Sequence, residues 1–184
     1  MDARIEERLR RASRAALSWD PNTGGRWCLI RFNDSLQEDL GEDPTGERFE
    51  AISHRMLNGR YYPPDVLTFY GRYMEDHREI RVGDRLLQRA RLIPLWPKPE
   101  LWSAVEILVA EKTEDGCKVG YLTTEQHFAR GMWTADLRRL GTRLVLQVRS
   151  IACPKHWLFW IGLPYARFLQ LRARRRAIEE FRKL

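Results

Sequence analysis

Apolar positions recur along this chain at two spacings, helical near the two ends and strand-like between them. Ile5, Leu9, Ala12, Ala16 and Leu17 form an apolar stripe among arginines and predict a helix over residues 3–17. Asp20-Pro21-Asn22-Thr23-Gly24-Gly25 ends it as a loop. Trp27–Phe32 has the branched and aromatic content of a short strand, and the polar stretch Asp34–Asp43 reads as surface loop. A second helix is expected to open at Asp43-Pro44, where a carboxylate can accept orphan N–H groups and proline sacrifices none. It carries Phe49, Ile52, Met56 and Leu57 on one side and stops at Asn58-Gly59. Tyr61-Tyr62-Pro63-Pro64 is then stiff and extended.

After Tyr70-Gly71 the pattern becomes a succession of strands. These are Arg85–Ile93, Leu101–Lys112, Cys117–Thr124, Met132–Arg138 and Thr142–Cys153. Pro94–Pro99 makes a rigid connection between the first two, and Asp115-Gly116 marks a hairpin. In the last strand Leu144, Leu146, Val148 and Ile151 approximate the alternation of a strand with one wet face. Pro154 precedes a long terminal helix. This order predicts an α+β fold with a curved antiparallel sheet wrapped around a long C-terminal helix. A chain of 184 residues needs no second domain, so residues 1–184 are expected to form one, with 1–42 as an N-terminal elaboration.

Composition narrows the class. A chain 43% hydrophobic and 31% charged is globular rather than disordered, and its formal charge of +7 favours anionic encounters. From Arg167 onward seven basic residues oppose two acidic ones, so +5 of that charge belongs to the terminal helix. Cys28, Cys117 and Cys153 are odd in number and widely spaced, as free thiols in a reducing cytosol would be. The charged N-terminus has no apolar core of a secretion signal, which completes the expectation of a cytoplasmic protein. The apolar run Trp157–Tyr165 is interrupted by Arg167 and falls short of the ~20 residues that span a bilayer.

That run, continuing to Leu171, needs a cover: sheet, ligand, partner chain or membrane surface. From Val82 onward the chain resembles a bacterial and plant domain family of unknown function (DUF1990, UPF0548-like), whose members are similar to the START/Bet v 1-like (SRPBCC) helix-grip superfamily. The resemblance rests on Val82-Gly83-Asp84, on Gly120-Tyr121-Leu122-Thr123-Thr124-Glu125-Gln126-His127 and on Leu163-Pro164-Tyr165-Ala166-Arg167-Phe168-Leu169-Gln170. The chain departs from the family pattern in placing Gly120 before Tyr121, in lacking a glycine before His127 and in having Ala129-Arg130-Gly131-Met132 after it. The resemblance implies a cavity between a bent sheet and the C-terminal helix that takes an apolar or amphipathic small molecule, a lipid among them.

Tyr62, Trp102, Tyr121, Trp133, Trp157, Trp160 and Phe168 are the candidate ligand contacts, being large apolar groups of which several bring a polar tip. A second class of function is a cavity enzyme of cyclase or hydrolase type, with His127, Tyr121 and Glu125 as acid–base candidates. The alternative for His127 is a structural histidine tying a turn to the sheet. A third class is a peripheral membrane or partner-binding protein that uses Arg167, Arg172, Arg174, Arg175 and Arg176 as anion contacts, on an anionic membrane surface or a protein. No patterned set of side chains suggests base reading, so no specific nucleic acid is expected. The sequence has no HExxH, no close Cys/His cluster and no Gly-rich nucleotide loop, so neither a metal nor another cofactor is expected.

Overall fold

The computed structural model describes residues 2–21, 31–91, 100–155 and 158–184, with side chains omitted for 158–164 and 166. In chain order the elements are α1 (Ala3–Arg14), β1 (Phe32–Glu42), α2 (Glu47–Leu57), β2 (Leu67–Tyr70), α3 (Arg72–Glu75) and β3 (Arg85–Arg91). Then follow β4 (Glu100–Lys112), β5 (Gly116–Thr123), β6 (Ala129–Leu140), β7 (Arg143–Pro154) and α4 (Leu158–Arg182). The strands form a single curled antiparallel sheet of order β1-β7-β6-β5-β4-β3-β2. The expected fold class is the one observed, and the strand readings from Arg85 onward agree to within a few residues. The connection expected at Pro94–Pro99 and residues 27–30 of the strand expected at Trp27–Phe32 lie outside the described residues.

Two differences matter. Asp34–Asp43 is not surface loop but most of β1, which pairs with β7 from Phe32↔Ala152 to Glu42↔Arg143. Its apolar pattern is faint because the inward positions include Asp34 and Glu38, each of which meets an arginine of α4. In β7 the inward series is Leu144, Leu146, Val148 and then Ser150, whereas Ile151 belongs to the opposite face and packs with Trp19, Leu122 and Cys153. The apolar alternation breaks at a polar inward position.

Asp43 does cap α2, although the helix begins at Glu47: its carboxylate accepts from the Arg48 N–H at 3.2 Å and the Phe49 N–H at 2.8 Å. Phe49, Ile52, Met56 and Leu57 are buried against the sheet, in one core with Ala177, Ile178 and Phe181 of α4 and Leu137, Leu144 and Leu146. Each large apolar side chain so covered contributes about 1.5–3 kcal/mol. The C-terminal half of α4 therefore closes the core on the concave side. Helix α1 lies on the convex side, where the Arg85 guanidinium donates to the Ala15 carbonyl at 2.7 Å and Arg8 stands 4.9 Å from the Trp102 ring.

Candidate functional site

Strand pairing lines up four inward residues in one row across the sheet. Asp34 pairs with Ser150, Ser150 with Trp133 and Trp133 with Tyr121. The row is polar at its β1 end and aromatic at its β5 end, where Trp133 and Tyr121 stack with ring centroids 5.2 Å apart. Towards the strand ends, two of the three positions alongside are small: Phe32 faces Ala152, and Ala152 faces Gly131. Because small residues leave space under a curved sheet, a cavity of about 490 Å³ opens beside this row, beneath α4. Tyr62, Tyr121, Trp133, Ser150, Arg167 and Gln170 are among the residues lining it.

Gly131 is required by closeness rather than by its backbone angle. A Cβ there would stand 1.8 Å from the Ile151 carbonyl oxygen, and its N–H and carbonyl oxygen are both bonded to the Thr123 hydroxyl, at 2.8 and 3.1 Å.

Over the polar end of the row, α4 presents Arg167, Gln170 and Arg174, three and four residues apart and hence on one face. Both terminal nitrogens of Arg167 donate to Asp34, to Oδ2 and, at 2.6 Å, to Oδ1; one also donates to Gln170 Oε1 at 3.0 Å. The Ser150 hydroxyl donates to Asp34 Oδ2 at 3.4 Å and accepts from Gln170 Nε2 at 3.4 Å and Arg174 at 3.5 Å. Arg174 is only 8% exposed. The row's aromatic end continues into Tyr61, whose centroid lies 4.7 Å from Trp133 and 5.3 Å from Phe181. Burial drives the Tyr61 phenol pKa well above its usual value, with Arg174 opposing, and its hydroxyl has no hydrogen-bond partner among the described residues.

Of the expected ligand contacts, Tyr62, Tyr121 and Trp133 line the cavity. Trp102 does not: its neighbours Leu101 and Ser103 point in, so Trp102 points out, stacked on Tyr70 and beneath Arg8 and Arg89. Phe168 is 55% exposed on the outer side of α4. Trp157 lies outside the described residues, as does the Trp160 side chain. The five arginines do not form one solvated surface. Arg174 is buried, Arg167 and Arg172 line the cavity, and only Arg175 and Arg176 face outward, paired with Glu179 and, for Arg176, also with Asp65 at 3.5 Å.

The acid–base candidates do not assemble. His127 is buried at the cavity wall, with Nδ1 3.1 Å from the Ala129 N–H and 3.0 Å from the Ala129 carbonyl, and its ring stacked on Phe128 at 4.2 Å. Burial lowers its pKa to about 4, Lys155 adding to the effect and the Ala129 hydrogen bond opposing it, so the ring is neutral near pH 7. As acceptor from Ala129, Nδ1 ties the turn to β6. Glu125 is exposed and its carboxylate turns to the Ala16 N–H at 3.3 Å, on the α1 side. Burial pushes the Tyr121 phenol up to about 12, a hydrogen bond from Gln88 opposing.

Cys117 is a buried free thiol that burial raises to about 11, too high for a nucleophile near neutrality. Cys153 is disulfide-bonded, not the free thiol expected, and one premise for a reducing compartment falls with it. Among the described residues no group of three or more His, Cys, Asp or Glu could hold a metal, and no helix is long and apolar enough to cross a membrane.

Several solved structures share the fold at low identity. A protein of Arthrobacter aurescens solved by NMR is 16% identical with a TM-score of 0.50, covering 82% of this chain and 83% of its own. A Chromobacterium violaceum crystal structure is 11% identical with a TM-score of 0.50, covering 82% and 96%. Major latex-like protein 151 of Panax ginseng is 10% identical with a TM-score of 0.48, covering 83% and 98%. No curated protein sequence matches the chain. The family model described as a domain of unknown function, DUF1990, matches residues 30–180, so this chain belongs to that family.

Proposed function

We propose that this protein binds an apolar or amphipathic small molecule in the cavity between sheet and α4, without chemistry on it. The observation that carries the reading is the 490 Å³ space itself, set where inward side chains shrink to Ala152 and Gly131 while Tyr62, Tyr121 and Trp133 wall it. A core built only for stability would fill such a volume, because empty apolar space forfeits contacts. The separation of Glu125 from the cavity and the fixed, neutral His127 argue against the enzyme alternative. Extraction of the purified protein followed by mass spectrometry, with Ala152→Phe as the filled-cavity control, tests the reading. A co-purifying molecule is expected in the parent chain and not in the variant; its absence from the parent, together with equal uptake of an apolar fluorescent dye by both, would overturn it.

A second reading is supported by the exposed side chains of Tyr165, Phe168 and Leu171 on α4, with Arg175 beside them. This stripe suits contact with an anionic membrane surface.

A further inference from the structure

We infer that the ligand of this cavity is an amphipathic anion, an apolar body carrying one carboxylate-type head that docks on Arg174 at the polar end of the sheet row. The inference rests on the cavity-binding reading and names the class of molecule it admits.

The argument starts from charge. At the polar end two guanidiniums, Arg167 and Arg174, face one carboxylate, Asp34. Arg167 takes both oxygens of that carboxylate, which leaves Arg174 with a contact at 3.9 Å, beyond hydrogen-bond length, and one weak bond to Ser150 at 3.5 Å. A guanidinium has five N–H donors, and the Arg174 side chain is about nine-tenths buried. Burying a charge with contacts this long is unfavourable, so an arginine kept in that condition points to a closer partner that arrives from elsewhere.

Position and surroundings say what the partner is. Ser150, which Arg174 contacts, lines the cavity directly, and next along the row stand Trp133 and Tyr121. An occupant with its head on Arg174 therefore lays its body on aromatic faces. Arg91, Arg130 and Arg172 line the cavity together with Arg167 and have no ion pair among the described residues, whereas the acidic residue of its lining, Asp65, is paired with Arg176. The charged residues of the lining are thus mostly positive, which disfavours a cationic head and leaves a neutral one without a charged partner. The buried Tyr61 hydroxyl, unpartnered and within the electrostatic reach of Arg174, offers a further donor of the kind an anionic oxygen accepts. One uncompensated positive charge matches one singly charged head, and the planar guanidinium fork matches a carboxylate.

Dodecanoate, 1-dodecanol and dodecylamine share one chain and differ in the head, so titrating each into the purified full chain isolates the charge. With tryptophan fluorescence as the signal, dodecanoate is expected to bind about tenfold or more tighter than dodecanol, with dodecylamine weakest. Arg174→Met should abolish the preference while retaining dodecanol binding. Asp34→Asn should strengthen dodecanoate binding, since it releases Arg167 from its internal carboxylate, and it carries the test alone if circular dichroism shows that the methionine variant does not fold. Equal affinity for dodecanoate and dodecanol in the parent chain, or a preference unmoved by the substitutions, overturns this inference and leaves cavity binding standing. Failure of every member of the series to bind overturns the cavity reading and this inference with it.

Discussion

Replacing His127 with asparagine tests how much of the acid sensitivity of this fold resides in one ring. In the folded chain the imidazole is buried and its pKa falls to about 4; in the unfolded chain it titrates near 6.5. Below 6.5 the unfolded state therefore binds a proton that the folded state refuses. Stability contributed by the neutral ring is fully present above pH 6.5, is lost progressively as pH falls, and stops changing below about 4. The interval between the two values corresponds to about 3 kcal/mol. Asparagine retains an acceptor for the Ala129 N–H but does not titrate, so its stability should lack this component. Urea unfolding of both proteins at steps from pH 7.5 to 4, followed by tryptophan fluorescence, should show the parent losing about 3 kcal/mol more than the variant over that window. Parallel pH profiles for the two proteins, or an NMR titration placing the His127 ring near 6.5, would refute the reasoning.

Three further outcomes are expected. Gly131→Ala should destabilise by about 3 kcal/mol or more in chemical denaturation, since the group 1.8 Å from its Cβ is a backbone carbonyl of the paired strand that no rotamer change can move; a loss within experimental error would mean that β6 and β7 separate there at little cost. Tyr61→Phe should raise the stability of the ligand-free protein by about 1 kcal/mol, because it removes a buried hydroxyl with no partner; a destabilised variant would mean that the hydroxyl is bonded in solution. Flotation with phosphatidylserine vesicles should fall steeply between 50 and 300 mM salt, roughly the range over which exposed charges become screened, and a salt-independent result would count against a membrane role for the outer side of α4.

The parts of the fold legible in the sequence are those where the apolar pattern and the turn chemistry agree. Asp115-Gly116 marks the turn of the β4–β5 hairpin, Asn58-Gly59 the end of α2, with Gly59 at φ 64°, and the alternation from Leu144 to Val148 gives the phase of β7. Strand β1 was not legible because its inward positions carry Asp34 and Glu38, and the arginines that make this tolerable, Arg167 and Arg182, lie 133 and 144 residues further on. Pairing at that distance leaves no local trace. The same limit applies to the cavity. Tyr62, Tyr121 and Trp133 are legible from residue type and place, but Trp102, equally aromatic, faces away from the cavity, because a strand sends adjacent residues to opposite faces and only the phase decides which. In α4 the run of arginines concealed a division by face: Arg167 and Arg174 turn inward with Gln170, and the apolar closure of the core comes later, from Ala177, Ile178 and Phe181.

Among the described residues strand β1 is an edge of the sheet, its ladder made with β7 and interrupted by a bulge between Asp39 and Gly41. Edge strands open at lower free energy than the strands they flank. Asp34, the carboxylate that occupies Arg167, is thus mounted on one of the most easily peeled parts of the scaffold, while Trp133 and Tyr121 are mounted on interior strands. Fraying of that edge and the charge presented to the cavity are consequently one event: each time β1 lifts, Arg167 is released, and the electrostatics of the pocket change without any movement of its aromatic wall.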